Sequence, residues 1–162
     1  MSPMGDPVAF FITWATYGTW LPGDERGWTE YHHGWQLPKL PLALECTARM
    51  SEASCVLSPA ERVIVEKQIA QTCSFRGWIL HAVNCRSNHL HVVVATGDAR
   101  PKKIRRDLKA WCARRLKEFA AHNRQHWWAE RGSIRWIWNT MSLATVIEYA
   151  TDGQDRKCHE YP

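Results

Sequence analysis

The stretch WILHAVNCRSNHLHVVVAT, residues 78–96, decides the fold that the sequence predicts. Two runs of apolar and β-branched residues flank the polar tripeptide RSN, a pattern typical of two strands joined by a short turn. Alternate side chains of a strand point to opposite faces, so we expect Leu90, Val92 and Val94 on a core face. His89 and His91 then project together from the other face, about 7 Å apart along the strand. The sequence therefore predicts a β-hairpin whose second face carries two imidazoles.

The other elements follow from local signals along the chain. Ser58 is an N-cap serine followed by Pro59 and by a capping-box Glu61, which marks the start of a helix. Besides the hairpin, the sequence predicts a strand at residues 8–16, a helix from residue 58 to Gly77, a helix from Pro101 to about residue 121, a strand at residues 133–139 and a final helix ending at Gly153. This order, βαββαβ plus a helix, predicts a ferredoxin-like α+β fold: an antiparallel sheet with helices on one face and an added C-terminal helix.

Length and composition are those of an ordinary globular protein. The chain has 162 residues, 45% hydrophobic and 23% charged, which predicts a single domain over residues 1–162. Residues 18–57, rich in Trp, Gly and Pro, are expected to form a long loop or extended arm. Its tryptophans between residues 20 and 35 either stack unpaired bases or cover the edge of the first strand.

Cysteine usage and targeting signals narrow the class of protein. Six cysteines occur without a CxxC pair, which disfavours zinc fingers and redox motifs. We find no signal peptide and no segment that could span a membrane. The sequence therefore predicts a cytoplasmic protein with free thiols.

Positive charge is concentrated in one predicted helix. The net charge is +5, yet residues 100–118 alone hold nine Lys or Arg against two Asp or Glu. Such a run is either the solvated face of an amphipathic helix or a phosphate-binding surface, and its density favours phosphate contact. The expected contacts are Arg100, Lys102, Lys103, Arg105, Arg106 and Lys109.

The histidine pair and the last helix together suggest a catalytic site. Two imidazoles on one strand face can converge on a divalent metal, although a lone His-x-His pair is more often structural, and His81 on the neighbouring strand is a further candidate ligand. Helical spacing predicts that Tyr149 lies half-buried at the margin of an apolar stripe. The stripe consists of Leu143, Val146, Ile147 and Ala150. Tyrosine is a competent nucleophile once activated, and a metal can orient a phosphodiester for attack.

These residues resemble a known family. NHLHVVV, the basic helix, RWIW, IEYATDGQ and the opening TYGTWLPGDERGW at residues 16–28 look like the single-tyrosine HUH transposases. That family includes insertion-sequence transposases and REP-associated tyrosine transposases. The resemblance implies that His89 and His91 bind Mg²⁺ or Mn²⁺. It also implies that Tyr149 attacks single-stranded DNA to give a 5′-phosphotyrosine and a free 3′-OH.

The third metal ligand departs from the family pattern. In many members a polar ligand lies four residues after the tyrosine, where this chain has Gly153. The resemblance points to Gln154, one residue later, with Asp152 or Asp155 as substitutes. It further implies a single-stranded DNA partner with hairpin structure, and it leaves open a monomer or a homodimer.

Two other functions compete with the enzyme. One is a non-catalytic ferredoxin-like nucleic-acid-binding protein, a domesticated relative that would need none of His89, His91 and Tyr149. The other is a metal-buffering protein, which the scattered cysteines disfavour.

Overall fold

The computed structural model describes residues 5–30, 32–120 and 123–153. Its main sheet is antiparallel and has the order β4-β5-β1-β6, and a separate hairpin joins β2 to β3. The strands are β1 (Ala9–Ala15), β2 (Trp28–Glu30), β3 (Gly34–Gln36), β4 (Ile79–Cys85), β5 (His89–Ala95) and β6 (Ser133–Ile137). The helices are α1 (Leu40–Arg49), α2 (Pro59–Arg76), α3 (Pro101–Phe119) and α4 (Thr140–Glu148), followed by a π-helical turn (Tyr149–Gly153). The strand order and the α+β content confirm the predicted ferredoxin-like fold.

Helices α2 and α3 cover one face of the sheet, which holds the larger core. Leu90, Val92 and Val94 are fully buried there, as the alternation of β5 predicted. Helix α3 contributes Ile104, Leu108, Cys112 and Leu116, whereas its Trp111 and Phe119 are exposed. Helix α2 begins with the predicted capping box and ends at a left-handed Gly77. It buries Val65, Ile69, Thr72 and Cys73, whereas Val63 is exposed.

The β4–β5 hairpin has a tighter turn than the predicted tripeptide. The Arg86 N–H donates to the His89 carbonyl at 2.8 Å, so the loop consists of Ser87 and Asn88 alone. Asn84 therefore pairs with His91, and a register shift follows between Leu80 and Ala82. A one-residue change in register exchanges the faces of a strand, so this turn decides which β4 side chains accompany the histidines.

Helix α4 and the π-helical turn pack on the opposite face of the sheet. A smaller core forms there from Phe11, Ala82, Val93, Ile137 and Ala150, with Ala9. The predicted stripe of α4, Leu143, Val146 and Ile147, packs against it. The two imidazoles and Tyr149 thus share a face that α2 and α3 do not cover.

Residues 18–57 are more ordered than the predicted loop, because they contain the β2–β3 hairpin and α1. Helix α1, which buries none of its residues, was missed because Pro38 and Pro41 at its start lie in a segment rich in Trp, Gly and Pro, a composition typical of a loop. The Trp20 Nε1 donates to the Gly27 carbonyl at 2.7 Å, and the Trp28 Nε1 donates to the Leu37 carbonyl at 3.2 Å. Of the two roles considered for the tryptophans between residues 20 and 35, covering the edge of the first strand is wrong, because β1 has no free edge: it is hydrogen-bonded to β5 on one side and to β6 on the other.

Cysteines in the described part of the chain are free thiols. Cys55, Cys73, Cys85 and Cys112 are buried, and Cys46 is partly buried. Burial raises the pKa of Cys73 to about 11 and, together with Glu66, the pKa of Cys85 to about 12. In the described ranges, the helices are too short or too polar to cross a bilayer.

Candidate functional site

A row of polar side chains crosses the sheet on the α4 face. The strand registers place Ser133 of β6 beside Thr13 of β1, Thr13 beside His91 of β5, and His91 beside Asn84 of β4. The hydroxyls of Thr13 and Ser133 share a hydrogen bond. Polar groups gathered on a half-covered face are typical of a binding or catalytic site rather than of a core.

The two histidines lie together, as the sequence predicted. The ring centroids of His89 and His91 are 5.2 Å apart. The Nδ1 of His89 lies 2.8 Å from the side-chain oxygen of Asn88, which orients that ring. His91 is only 2% exposed, and the ring of Phe11 meets it edge-on at 5.1 Å. The pair is therefore held in place by the turn on one side and by β1 on the other.

His91 is electrically neutral at ordinary pH. Burial, with the neighbouring His89 as the second cause, lowers its pKa to about 3. Its buried Nδ1 has no hydrogen-bond partner among the described residues. Leaving such a nitrogen unpaired costs free energy, and neutral imidazole is the form that binds metals. A neutral His91 beside His89 could therefore take part in holding a divalent ion.

Tyr149 is brought onto the histidines by α4. Asn139 caps the helix by accepting from the Ser142 N–H at 2.8 Å, and Tyr149 ends it as the first residue of the π-helical turn. The phenol ring stacks on His91, with centroids 5.7 Å apart and an interplanar angle of 28°, and lies 6.0 Å from Phe11. Tyr149 is half-buried, as the helical spacing predicted.

Asn84 fastens the π-helical turn to the sheet, a role that the sequence analysis missed. Its side-chain amide donates to the carbonyl of Ala150 at 3.0 Å and to that of Thr151 at 3.3 Å. Asn84 is also the register partner of His91. It therefore fixes the segment that carries Tyr149 relative to the strand that carries the histidines.

The third metal ligand stays a prediction. Gln154 and Asp155 lie outside the described residues, as does the side chain of Asp152. His81 lies at the register shift of β4. Over the described ranges, no cluster of three or more His, Cys, Asp or Glu is placed to hold an ion. His81 therefore does not complete a three-ligand group with His89 and His91.

The basic helix α3 lies on the other face of the sheet from Tyr149. Lys102, Lys103 and Arg106 are exposed, and Lys103 pairs with Asp107 at 2.8 Å. Lys109 instead donates to the carbonyls of Ala129 and Arg131 at 2.8 and 3.0 Å. Burial lowers its pKa to about 8. Lys109 thus holds the segment that precedes β6 against α3.

The six predicted phosphate contacts of α3 differ in exposure. Arg100 and Lys102 are exposed at the start of the helix, while Arg105 is partly buried, and burial lowers its pKa. Arg106 has a side chain 74% exposed, 3.7 Å from Asp107. The outward-facing members form a basic surface behind the sheet.

The arrangement combines two groups that could bind a metal with a hydroxyl that could act as a nucleophile. Neutral imidazoles can bind a divalent ion, and the phenol oxygen is a nucleophile within the same cluster. The aromatic walls of Phe11 and His91 limit the ways in which Tyr149 can turn. Such a pre-arranged nucleophile lowers the entropic cost of reaction.

Comparison with known proteins agrees with this fold. No protein-family model matches the chain, and no curated protein sequence matches it. A solved structure of a REP-associated tyrosine transposase bound to a REP hairpin superposes with a TM-score of 0.55 at 12% identity, covering 95% of this chain and 70% of that one. The chain therefore has the same fold as a tyrosine transposase that was solved in complex with hairpin DNA.

Proposed function

We propose that this protein is a transposase-like DNA strand transferase that cleaves and rejoins single-stranded DNA through a 5′-phosphotyrosine on Tyr149. The observation that carries the proposal is the stacking of Tyr149 on the buried, neutral His91 at 5.7 Å. The likeness in fold to a REP-associated tyrosine transposase supports the same reaction class. A nucleic-acid-binding protein without catalysis would need neither group.

The chemistry is a pair of transesterifications. The Tyr149 hydroxyl loses its proton to solvent and its oxygen attacks the phosphorus. The new bond between this oxygen and phosphorus forms as the bond between phosphorus and the 3′ oxygen breaks, and the 3′ oxygen takes up a proton from solvent and leaves as a hydroxyl. The bond energy is kept in the phosphotyrosine, so a 3′-OH can attack it and rejoin the strand. A Mg²⁺ or Mn²⁺ ion bound by His89 and His91 would neutralise the non-bridging oxygens of the phosphate. Gln154, or else Asp152 or Asp155, is proposed as the remaining ligand.

We propose that one chain suffices for the reaction. Tyr149 contacts the His91 of its own chain, and Asn84 holds the connecting turn within that chain. A shared site in a homodimer would require this turn to leave Asn84. A mixture of Tyr149→Phe and His89→Ala proteins is then expected to stay inactive.

The DNA partner is proposed to have hairpin structure. The solved relative in fold is bound to a REP hairpin. In this chain, Arg100, Lys102, Lys103 and Arg106 form a basic surface suited to the phosphates of a stem, while the single strand reaches the α4 face. Such contacts position DNA without reading its sequence.

The test is adduct formation with labelled oligonucleotides. Single-stranded hairpins with both ends labelled are incubated with protein and Mn²⁺ or Mg²⁺ and run on denaturing gels. We expect a metal-dependent covalent adduct that is lost in Tyr149→Phe and in His89→Ala. Tyr17→Phe is the matched control, because the Tyr17 hydroxyl accepts from the Ser51 N–H at 3.0 Å and lies outside the site. Binding without an adduct on any substrate would instead support the non-catalytic protein.

A further inference from the structure

A groove on the α4 face adjoins Tyr149 and is not used by the proposed chemistry. It has a volume of about 450 Å³ and is lined by Phe11, Arg135, Met141, Thr145, Val146 and Tyr149. This volume falls in the range of about 300–1,000 Å³ that is typical of small-molecule sites. The groove is thus large enough to hold a ligand beside the candidate nucleophile.

The register of the sheet fixes where Arg135 lies. Arg135 of β6 pairs with Phe11 of β1, which pairs on its other side with Val93 of β5. Adjacent strands are about 4.8 Å apart. The backbone of Arg135 therefore lies on the far side of Phe11 from β5, the strand that carries the histidines.

The lining of the groove combines one cation with an apolar wall. Arg135 is exposed and, in the described ranges, takes part in no ion pair. A guanidinium fork matches the geometry of a phosphate. Met141, which is 83% exposed, and Val146 offer a flexible apolar surface, and Phe11 supplies an aromatic one. Flat, polarisable bases pack well on such surfaces.

We propose that this groove binds the nucleotide next to the phosphate that Tyr149 attacks, with that nucleotide's own phosphate on Arg135 and its base against Val146 and Met141. The proposal rests on the proposed function for the position of the attacked phosphate. It makes Arg135 a positioning residue, because it holds the strand on which Tyr149 acts. The groove would also favour particular bases at that position, since its walls accept some shapes better than others.

The experiment measures binding, so it does not depend on cleavage. A fluorescent hairpin with a single-stranded flank is titrated with the Tyr149→Phe protein, and a single abasic site is moved along the flank. We expect one flank position at which removal of the base weakens binding about tenfold, within the range of a stacked base. In the Met141→Glu protein this penalty should fall to less than twofold, whereas Arg135→Gln should weaken binding of the intact and the abasic strand alike.

Arg49→Gln is the charge-matched control. Arg49 lies exposed on α1 in an ion pair with Glu45, so its loss removes the same charge away from the groove. It should leave both the affinity for the intact strand and the abasic penalty unchanged. The proposal is wrong if no flank position shows a penalty, if Met141→Glu retains the penalty in full, or if Arg135→Gln binds the intact strand as tightly as Arg49→Gln does. If any of these results were obtained while the wild-type protein still formed a metal-dependent adduct on Tyr149, only the groove proposal would be wrong. If binding followed the expected pattern but the wild-type protein formed no adduct on any substrate, only the proposed transferase function would be wrong.

Discussion

Replacing Asn84 by alanine should loosen the segment that carries Tyr149. The variant loses two hydrogen bonds, at 3.0 Å to the Ala150 carbonyl and at 3.3 Å to the Thr151 carbonyl. Each hydrogen bond contributes about 0.5–1.5 kcal/mol, so the free energy that attaches the π-helical turn to β4 falls by roughly 1–3 kcal/mol. If the docked turn is the reactive state, adduct formation slows by about 5-fold to 150-fold.

Amide hydrogen exchange measures this loss of attachment independently of DNA cleavage. The Tyr149 amide, which donates to the Thr145 and Val146 carbonyls, should exchange faster in Asn84→Ala by a similar factor. Gln68→Ala is the control, because it removes a side-chain amide that donates to Thr72 at 3.0 Å within α2. Unchanged exchange at Tyr149 in Asn84→Ala would refute the view that Asn84 fastens the turn. Unchanged adduct formation despite faster exchange would refute the view that the docked turn is the reactive state.

Three further predictions concern stability and can be checked by urea unfolding. Lys109→Met should lower the free energy of unfolding by about 1.5–3 kcal/mol, since it loses two charged hydrogen bonds. Arg106 is exposed, so the free energy of unfolding of Arg106→Met should stay within about 0.5 kcal/mol of the wild-type value. Equal losses in the two variants would contradict the supporting role of Lys109. Gly132→Ala should cost about 2–3 kcal/mol, because Gly132 has φ +151° and a Cβ there would lie 2.2 Å from the Thr13 oxygen; a neutral result would contradict the close approach. The fold raises the pKa of Cys85 to about 12, so the neutral thiol contributes its full stabilisation below its unfolded pKa near 8.5, and this contribution is lost as pH rises. Above about pH 9, the free energy of unfolding should therefore fall with pH about 1.4 kcal/mol per pH unit less steeply in Cys85→Ala than in the wild type. An equal slope in the two proteins would contradict this.

The central part of the fold was predictable because it depends on simple periods. The alternation in HLHVVVA assigns Leu90, Val92 and Val94 to the core and the histidines to the other face, whatever the partner strands are. The capping box at Ser58 and the left-handed Gly77 likewise mark the ends of α2 from local chemistry alone. The approach of Tyr149 to His91 was expected from the family resemblance rather than from any local pattern.

Other features depend on register and on long-range packing. Asn84 was missed because its place opposite His91 requires a two-residue turn, and the polar tripeptide RSN does not specify one. Arg135 was missed because the alternation in β6 does not show which face meets α4. Lys109 belongs to the same basic run as Arg106, and only its contacts with Ala129 and Arg131 separate a supporting residue from a surface one.

The central claim is that Tyr149 is the nucleophile, and mass spectrometry of the trapped adduct tests it most directly. Protein incubated with a cleavable hairpin and Mn²⁺ is treated with nuclease and protease, and the peptide that carries residual nucleotide is sequenced. The account predicts a nucleotide joined through phosphate to Tyr149 in the peptide that contains IEYATDG. DNA cleavage with the nucleotide on another residue, or with no modified peptide at all, would contradict it.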